Sequence, residues 1–163
     1  MNYLTIYKSS LLDGVGWRTV LFVSGCSHKC KGCHNPESWD KNAGKEFTDE
    51  VKDQLFSYIN RPEIDGLTLS GGDPLYFANL PAVTRLCKEL KEKFPNKTIW
   101  LYTGCLFDEV KDFEVMKYID VVVDGPFILD KRNTKLHYRG SSNQNIIDVK
   151  TGKTIDYKED NLE

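Results

Sequence analysis

Residues 18–25 (RTVLFVSG) form a nearly unbroken apolar run, the pattern of a strand buried on both faces. Short apolar runs at 66–70 (GLTLS), 98–103 (TIWLYT) and 119–124 (IDVVVD) predict three more strands, each followed closely by glycine. Helical patterns separate them. Residues 48–59 read as a helix with Thr48 as N-cap. Leu80, Val83, Cys87, Leu90 and Phe94 recur at helical spacing and predict an amphipathic helix over 80–94, stopped by Pro95-Asn96. A third helix is predicted over 107–118, with short strands at 4–7 and 145–149. Residues 129–139 are polar and ambiguous.

Strands alternating with helices are the α/β signature, and strand–turn–helix–strand units give a mostly parallel sheet with right-handed crossovers. Four to six strands are too few for a closed eight-stranded barrel, so the expected fold is α/β, an open partial (β/α) barrel. It should occupy residues 1–150 as one domain, with 151–163 as a charged, loosely ordered tail. The residues that carry chemistry follow strand ends, which places them together at the C-terminal edge of the sheet.

At 163 residues the chain can bury a sizeable core, and 40% hydrophobic with 28% charged residues is ordinary globular composition. A net charge of −2 gives no reason to expect nucleic acid or an anionic membrane as partner. No apolar run is long enough to span a bilayer, and the first residues lack a signal-peptide layout. The expected compartment is the cytoplasm.

Five cysteines are present, an odd count that argues against a disulfide framework. Cys26, Cys30 and Cys33 fall in a C-x₃-C-x₂-C loop directly after the first buried strand. A short loop, with Gly25 and Gly32 for backbone freedom, can wrap three corners of a cubane cluster; three thiolates then leave one iron open to a small molecule. Two other readings stand beside it. Zinc could take the three cysteines with His28 or His34. An electron-transfer cluster would need a fourth thiolate, from Cys87 or Cys105. Cys87 lies in an apolar helical stripe and reads as a buried core thiol; Cys105 follows the third of these strands and reads as structural or incidental.

The cysteine loop after a buried strand resembles the radical S-adenosylmethionine superfamily. The resemblance implies that Cys26, Cys30 and Cys33 ligate a [4Fe–4S] cluster whose open iron binds S-adenosylmethionine. It also implies that Gly32, Cys33 and His34 lie at the cofactor, with His34 beside the adenine. Ser70-Gly71-Gly72-Asp73-Pro74 ends the 66–70 strand and looks like the superfamily's glycine-rich motif. By that likeness Gly71, Gly72 and Asp73 hold the methionine end, and bulky residues at the glycines should weaken substrate binding without loss of iron. Thr103 and Asp124, at later strand ends, would serve the ribose or a bound cation.

Asp13-Gly14-Val15-Gly16-Trp17-Arg18 resembles the Asp-Gly-Pro-Gly-x-Arg segment of glycyl-radical enzyme activases, with Val15 where proline is usual. His34-Asn35-Pro36-Glu37-Ser38-Trp39 resembles the stretch after the third cysteine in the same activases. Asp124-Gly125-Pro126-Phe127 and Arg139-Gly140-Ser141-Ser142-Asn143-Gln144 are similar to the activases of anaerobic ribonucleotide reductases, and the chain is short enough to lack an inserted multi-cluster domain. The resemblance implies that a flavodoxin-like donor reduces the cluster and S-adenosylmethionine is cleaved. A glycyl radical then forms on the large catalytic subunit of the anaerobic ribonucleotide reductase. Asp13, Arg18 and Arg139 would border the entry and receive that subunit's loop. Activation of another glycyl-radical enzyme, such as pyruvate formate-lyase, and a non-catalytic metal or electron-transfer module are the alternatives.

Overall fold

The structure is a computed structural model and describes residues 1–28, 30, 32, 33 and 36–157. Seven strands form one sheet: β1 (Asn2–Ser10), β2 (Arg18–Val23), β3 (Lys45–Glu46), β4 (Gly66–Gly71), β5 (Thr98–Tyr102), β6 (Val121–Asp124) and β7 (Asn145–Asp148), in the order β3-β1-β2-β4-β5-β6-β7. The pairs β2–β4, β4–β5 and β5–β6 are parallel; β1 and β7 flank them antiparallel. The α/β class and the parallel core meet the expectation. The strand order is that of an open sheet ending in β3 and β7.

Helices α1 (Asp49–Ile59) and α2 (Leu80–Lys93) cover one face. Thr48 caps α1, its hydroxyl accepting the Val51 N–H at 3.3 Å. Leu55, Ile59, Val83, Cys87 and Leu90 pack against Leu21, Leu67, Leu69, Ile99 and Leu101, all fully buried. Alternate residues face the other way. There Trp100, Val123 and Ile146 form a smaller cluster with Tyr102, Tyr138, Ile155 and Tyr157.

Three expectations change. The helix foreseen over 107–118 is one turn, α3 (Phe107–Val110), then a separate 3₁₀ turn at Glu114–Lys117. Val110 and Val115 are both buried, and a step of five residues overshoots the helical repeat, so the chain breaks at an extended Phe113. Residues 151–157 are not a loose tail: Ile155 N–H donates to the Ile146 carbonyl at 2.7 Å, and Tyr157 packs near Trp100 and Tyr138. The rest of the predicted tail, 158–163, lies outside the described residues.

The third change concerns Arg18. It opens β2, at the edge of the parallel strands opposite the cysteine loop, and is 1% exposed. Residues 11–17 turn the chain from β1 into β2 at that same end. Asp13 accepts the Ser10 hydroxyl on its carboxylate and the Thr68 hydroxyl on its carbonyl. Arg18 is a buried anchor of the sheet, and neither its position nor its exposure suits reception of a partner loop.

Candidate metal centre

Four parallel strands deliver four connections to one edge: the cysteine loop after β2, Gly72–Leu75 after β4, Thr103–Leu106 after β5 and residues 125–144 after β6. Because β7 starts opposite the end of β6, with Asn145 across from Asp124, that last long connection leaves and returns at the same edge.

Backbone bonds knit the connections together. The Gly72 N–H donates to Val23 at 2.8 Å and the Asp73 N–H to Gly25 at 2.8 Å. On the cysteine loop the Gly25 N–H reaches Ser38 at 2.6 Å and the Cys26 N–H reaches Trp39 at 3.2 Å. Asn79 is buried and donates to the carbonyls of both Ser24 (2.7 Å) and Asp73 (3.1 Å). A Cβ on Gly72 would stand 2.5 Å from the Gly25 oxygen and 2.8 Å from the Ser38 oxygen, so only glycine allows this approach.

A pocket opens at this edge. Cys26, His28, Cys30 and Cys33 line it with Ser70, Gly71 and Gly72; Tyr102 at the end of β5, Thr103 and Gly104 just after it, and Gly125, Phe127, Gly140 and Gln144 from the last connection complete its wall. Gln144 braces that connection: its side chain accepts the Gly140 N–H at 2.8 Å and donates to the Gly125 carbonyl at 3.0 Å. Gly32 lies beside it, its Cβ direction 2.9 Å from Leu129.

The structure therefore brings Cys26, Cys30, Cys33, Gly71, Gly72 and Thr103 to one cavity. It gives other roles to two carboxylates. Asp73 is 1% exposed and accepts from the Leu75 N–H (2.9 Å), the Thr103 hydroxyl (3.0 Å), the Gly104 N–H (3.0 Å) and His28 (2.7 Å). Its lone pairs are occupied within the protein, which leaves it poorly suited to grip a substrate ammonium. Asp124 accepts the Phe107 N–H at 2.8 Å and the Asn145 N–H at 3.1 Å, tying α3 and β7 to the end of β6. The Thr103 hydroxyl is likewise engaged, donating to Asp73 and accepting the Cys105 N–H at 3.1 Å. His34 lies outside the described residues.

Sequence reasoning passed over Tyr102 and Phe127 as pocket residues, named His28 only as a possible zinc ligand, and gave Ser70 and Gln144 no role of their own within their motifs. Ser70 and Tyr102 carried a usable signal, since both stand at the C-terminal ends of parallel strands. His28 Nε2 donates to Asp73, and this hydrogen bond is the main reason its pKa is raised; partial burial opposes it. Cys105 lies closer to the site than expected, with Sγ 3.7 Å from His28 Nε2, and burial pushes its thiol up. Cys87 is fully buried and burial pushes it up to about 12.

Three thiol side chains from one glycine-containing loop, lining a cavity at the end of a parallel sheet, are a donor set suited to an iron–sulfur cluster. The fold and site define an iron–sulfur protein of α/β architecture. A family model described as a 4Fe-4S single cluster domain matches residues 12–147, in agreement with that class. The chain is 44% identical over 146 residues to the anaerobic ribonucleoside-triphosphate reductase-activating protein of Enterobacteria phage T4, covering 90% of this chain and 93% of that protein. It is 43% identical over 150 residues to the Vibrio cholerae protein of the same name (90% and 97%) and 41% over 148 residues to that of Escherichia coli K12 (88% and 96%). The chain belongs to the family of anaerobic ribonucleoside-triphosphate reductase-activating proteins.

Proposed function

We propose that this protein activates an anaerobic ribonucleotide reductase, using S-adenosylmethionine and a [4Fe–4S] cluster to install a glycyl radical on the reductase's large subunit. The observation that carries the reading is one pocket lined by Cys26, Cys30 and Cys33 together with Gly71 and Gly72. The names of the relatives supply the partner.

Cys26, Cys30 and Cys33 hold the cluster. When bound, it supplies the electron that splits the sulfonium to methionine and a 5′-deoxyadenosyl radical able to take hydrogen from a glycine Cα. The residues of this chain bind and shield. Gly71 and Gly72 let the backbone approach the methionine end of the substrate, and Ser70 and Tyr102 line the same pocket. Gly32 and Cys33 serve the cofactor at the cysteine loop, and His34 is the residue proposed for the adenine. Phe127, Gly140 and Gln144 wall the pocket and exclude water. A flavodoxin-like protein is the proposed donor and the cytoplasm the proposed compartment. No described helix is long and apolar enough to cross a membrane.

Anaerobic reconstitution followed by reduction with dithionite tests the reading. About four irons per chain and release of 5′-deoxyadenosine are expected. A glycyl radical signal should appear on added reductase subunit. A reconstituted, reduced protein that forms no 5′-deoxyadenosine rejects the catalytic reading in favour of an electron-transfer module. A radical that appears only on a different glycyl-radical enzyme reassigns the partner.

A further inference from the structure

We infer that His28 is a positioning residue that latches the middle of the cysteine loop to the sheet, so that the three thiols surround the pocket before a cluster assembles. The inference rests on the cluster reading above.

His28 stands between Cys26 and Cys30, in a stretch that belongs to no helix or strand. Loop backbone without a ladder is costly to order and needs a tether. The imidazole provides one: its Nε2–H donates to Asp73 Oδ2 at 2.7 Å. The acceptor is itself fixed, since the Leu75 N–H holds Oδ1 while the Thr103 hydroxyl and Gly104 N–H hold Oδ2. Movement of Asp73 would break all of these bonds, so the carboxylate is a rigid seat.

Steric evidence is independent of the hydrogen bond. A Cβ on Gly104 would fall 2.5 Å from His28 Cδ2, 2.7 Å from Cγ and 2.8 Å from Nε2. The ring therefore lies against the bare backbone of Gly104, in a place that only glycine leaves free. One imidazole thus joins the connections after β2, β4 and β5, and it does so within the wall of the pocket that the cysteines line. Asp73 then serves the loop rather than the substrate. A side chain that orients metal ligands in this indirect way typically changes metal retention by about 10–100-fold when removed.

The test uses the full-length chain, anaerobically reconstituted, as wild type, His28→Ala, His28→Gln and Gly104→Ala. The readouts are iron per chain, the rate of iron loss to a chelator, the electron paramagnetic resonance line shape of the reduced cluster, and the melting temperature of the cluster-free protein. His28→Ala should melt near wild type without iron yet lose iron about tenfold faster. Gln, whose amide N–H₂ can reach the same carboxylate, should restore most of the retention. Gly104→Ala leaves the imidazole intact but removes its seat, so it should copy His28→Ala. Wild-type retention and line shape in both His28→Ala and Gly104→Ala would overturn the latch. Fast loss in His28→Ala that Gln leaves uncorrected, with Gly104→Ala normal, would also overturn it and make His28 a direct contact of the cofactor. A wild-type chain that takes up no iron sinks the cluster reading and the latch with it.

Discussion

Arg18 embraces Thr98: Nη1 donates to the threonine hydroxyl at 2.9 Å and Nη2 to its carbonyl at 2.9 Å. The same guanidinium donates to the Thr68 hydroxyl (2.8 Å) and to the carbonyls of Val15 (3.1 Å) and Leu67 (2.9 Å), and stacks over Trp100 at 5.7 Å. Five donations from one buried fork lace the N-terminal ends of β2, β4 and β5. Burial lowers its pKa to about 10, with Asp65 and Asp120 opposing the fall, so the group stays charged at neutral pH.

Replacing Arg18 by methionine leaves these buried acceptors without a donor. A loss of about 3 kcal/mol is expected, from unsatisfied groups costing roughly 1–3 kcal/mol each with partial relaxation. Lysine should rescue little, because one ammonium cannot reproduce the planar fork. Denaturant unfolding of the cluster-free protein measures both. Iron uptake by the folded fraction should be unchanged, since the site lies at the far edge.

The cysteines divide by environment. Alanine at Cys26, Cys30 or Cys33 should abolish iron binding, whereas alanine at Cys87 should preserve it and cost only stability. Cys87, buried with its pKa at about 12, carries a thiolate fraction of about one in ten thousand at pH 8. In the native cluster-free chain iodoacetamide at pH 8 should therefore label pocket thiols and spare Cys87 until the protein is unfolded. Mass spectrometry of peptides reads the order directly; early labelling of Cys87 would contradict the packing.

The strands of the core were legible because each is an apolar run closed by glycine, and Thr48 and the Leu80–Cys87–Leu90 stripe announced the two long helices. What escaped the reading was set by tertiary geometry. A motif such as Asp13 to Arg18 shows its residue types but not its edge of the sheet, and only the antiparallel β1–β2 pairing reveals it. Asp73 and Asp124 look like ligands in sequence because they are carboxylates at strand ends. Their acceptors are filled by N–H groups 2 to 31 residues away along the chain, which no local pattern records. The cysteine loop was legible because the three thiols that line one cavity also fall within eight residues of the chain.

The glycine turn now carries a different expectation from the one its motif implied. A valine at Gly72 would drive its Cβ into the backbone oxygens of Gly25 and Ser38, both of which belong to the packing of the cysteine loop. Gly72→Val should therefore lower iron content as well as S-adenosylmethionine affinity. Iron per chain and equilibrium binding, measured on the same preparation, separate the effects. Normal iron with weakened binding would show that the loop yields, and would return the turn to a role towards substrate alone.

Arg139 offers the remaining test of how the reductase is received. Its Nη1 donates to the Gln144 carbonyl at 2.9 Å, and the neighbouring Gly140 lines the pocket. The connection it sits in has other anchors. Tyr138, in a left-handed backbone conformation at φ 61°, packs edge-on to Trp100 at 5.3 Å, and the Gln144 side chain holds Gly125 and Gly140. Those contacts survive in Arg139→Ala, so the pocket wall should stay in place with a stability loss of about 1 kcal/mol for one hydrogen bond. Cleavage of S-adenosylmethionine without the reductase should then continue within about twofold, because one bond's worth of stability leaves a marginally stable chain folded. If the guanidinium meets the incoming glycine loop, radical formation on the reductase should fall by at least tenfold, the equivalent of about 1.4 kcal/mol in docking. Equal loss of both activities would assign Arg139 to the fold of its own loop and place the docking surface elsewhere on the rim.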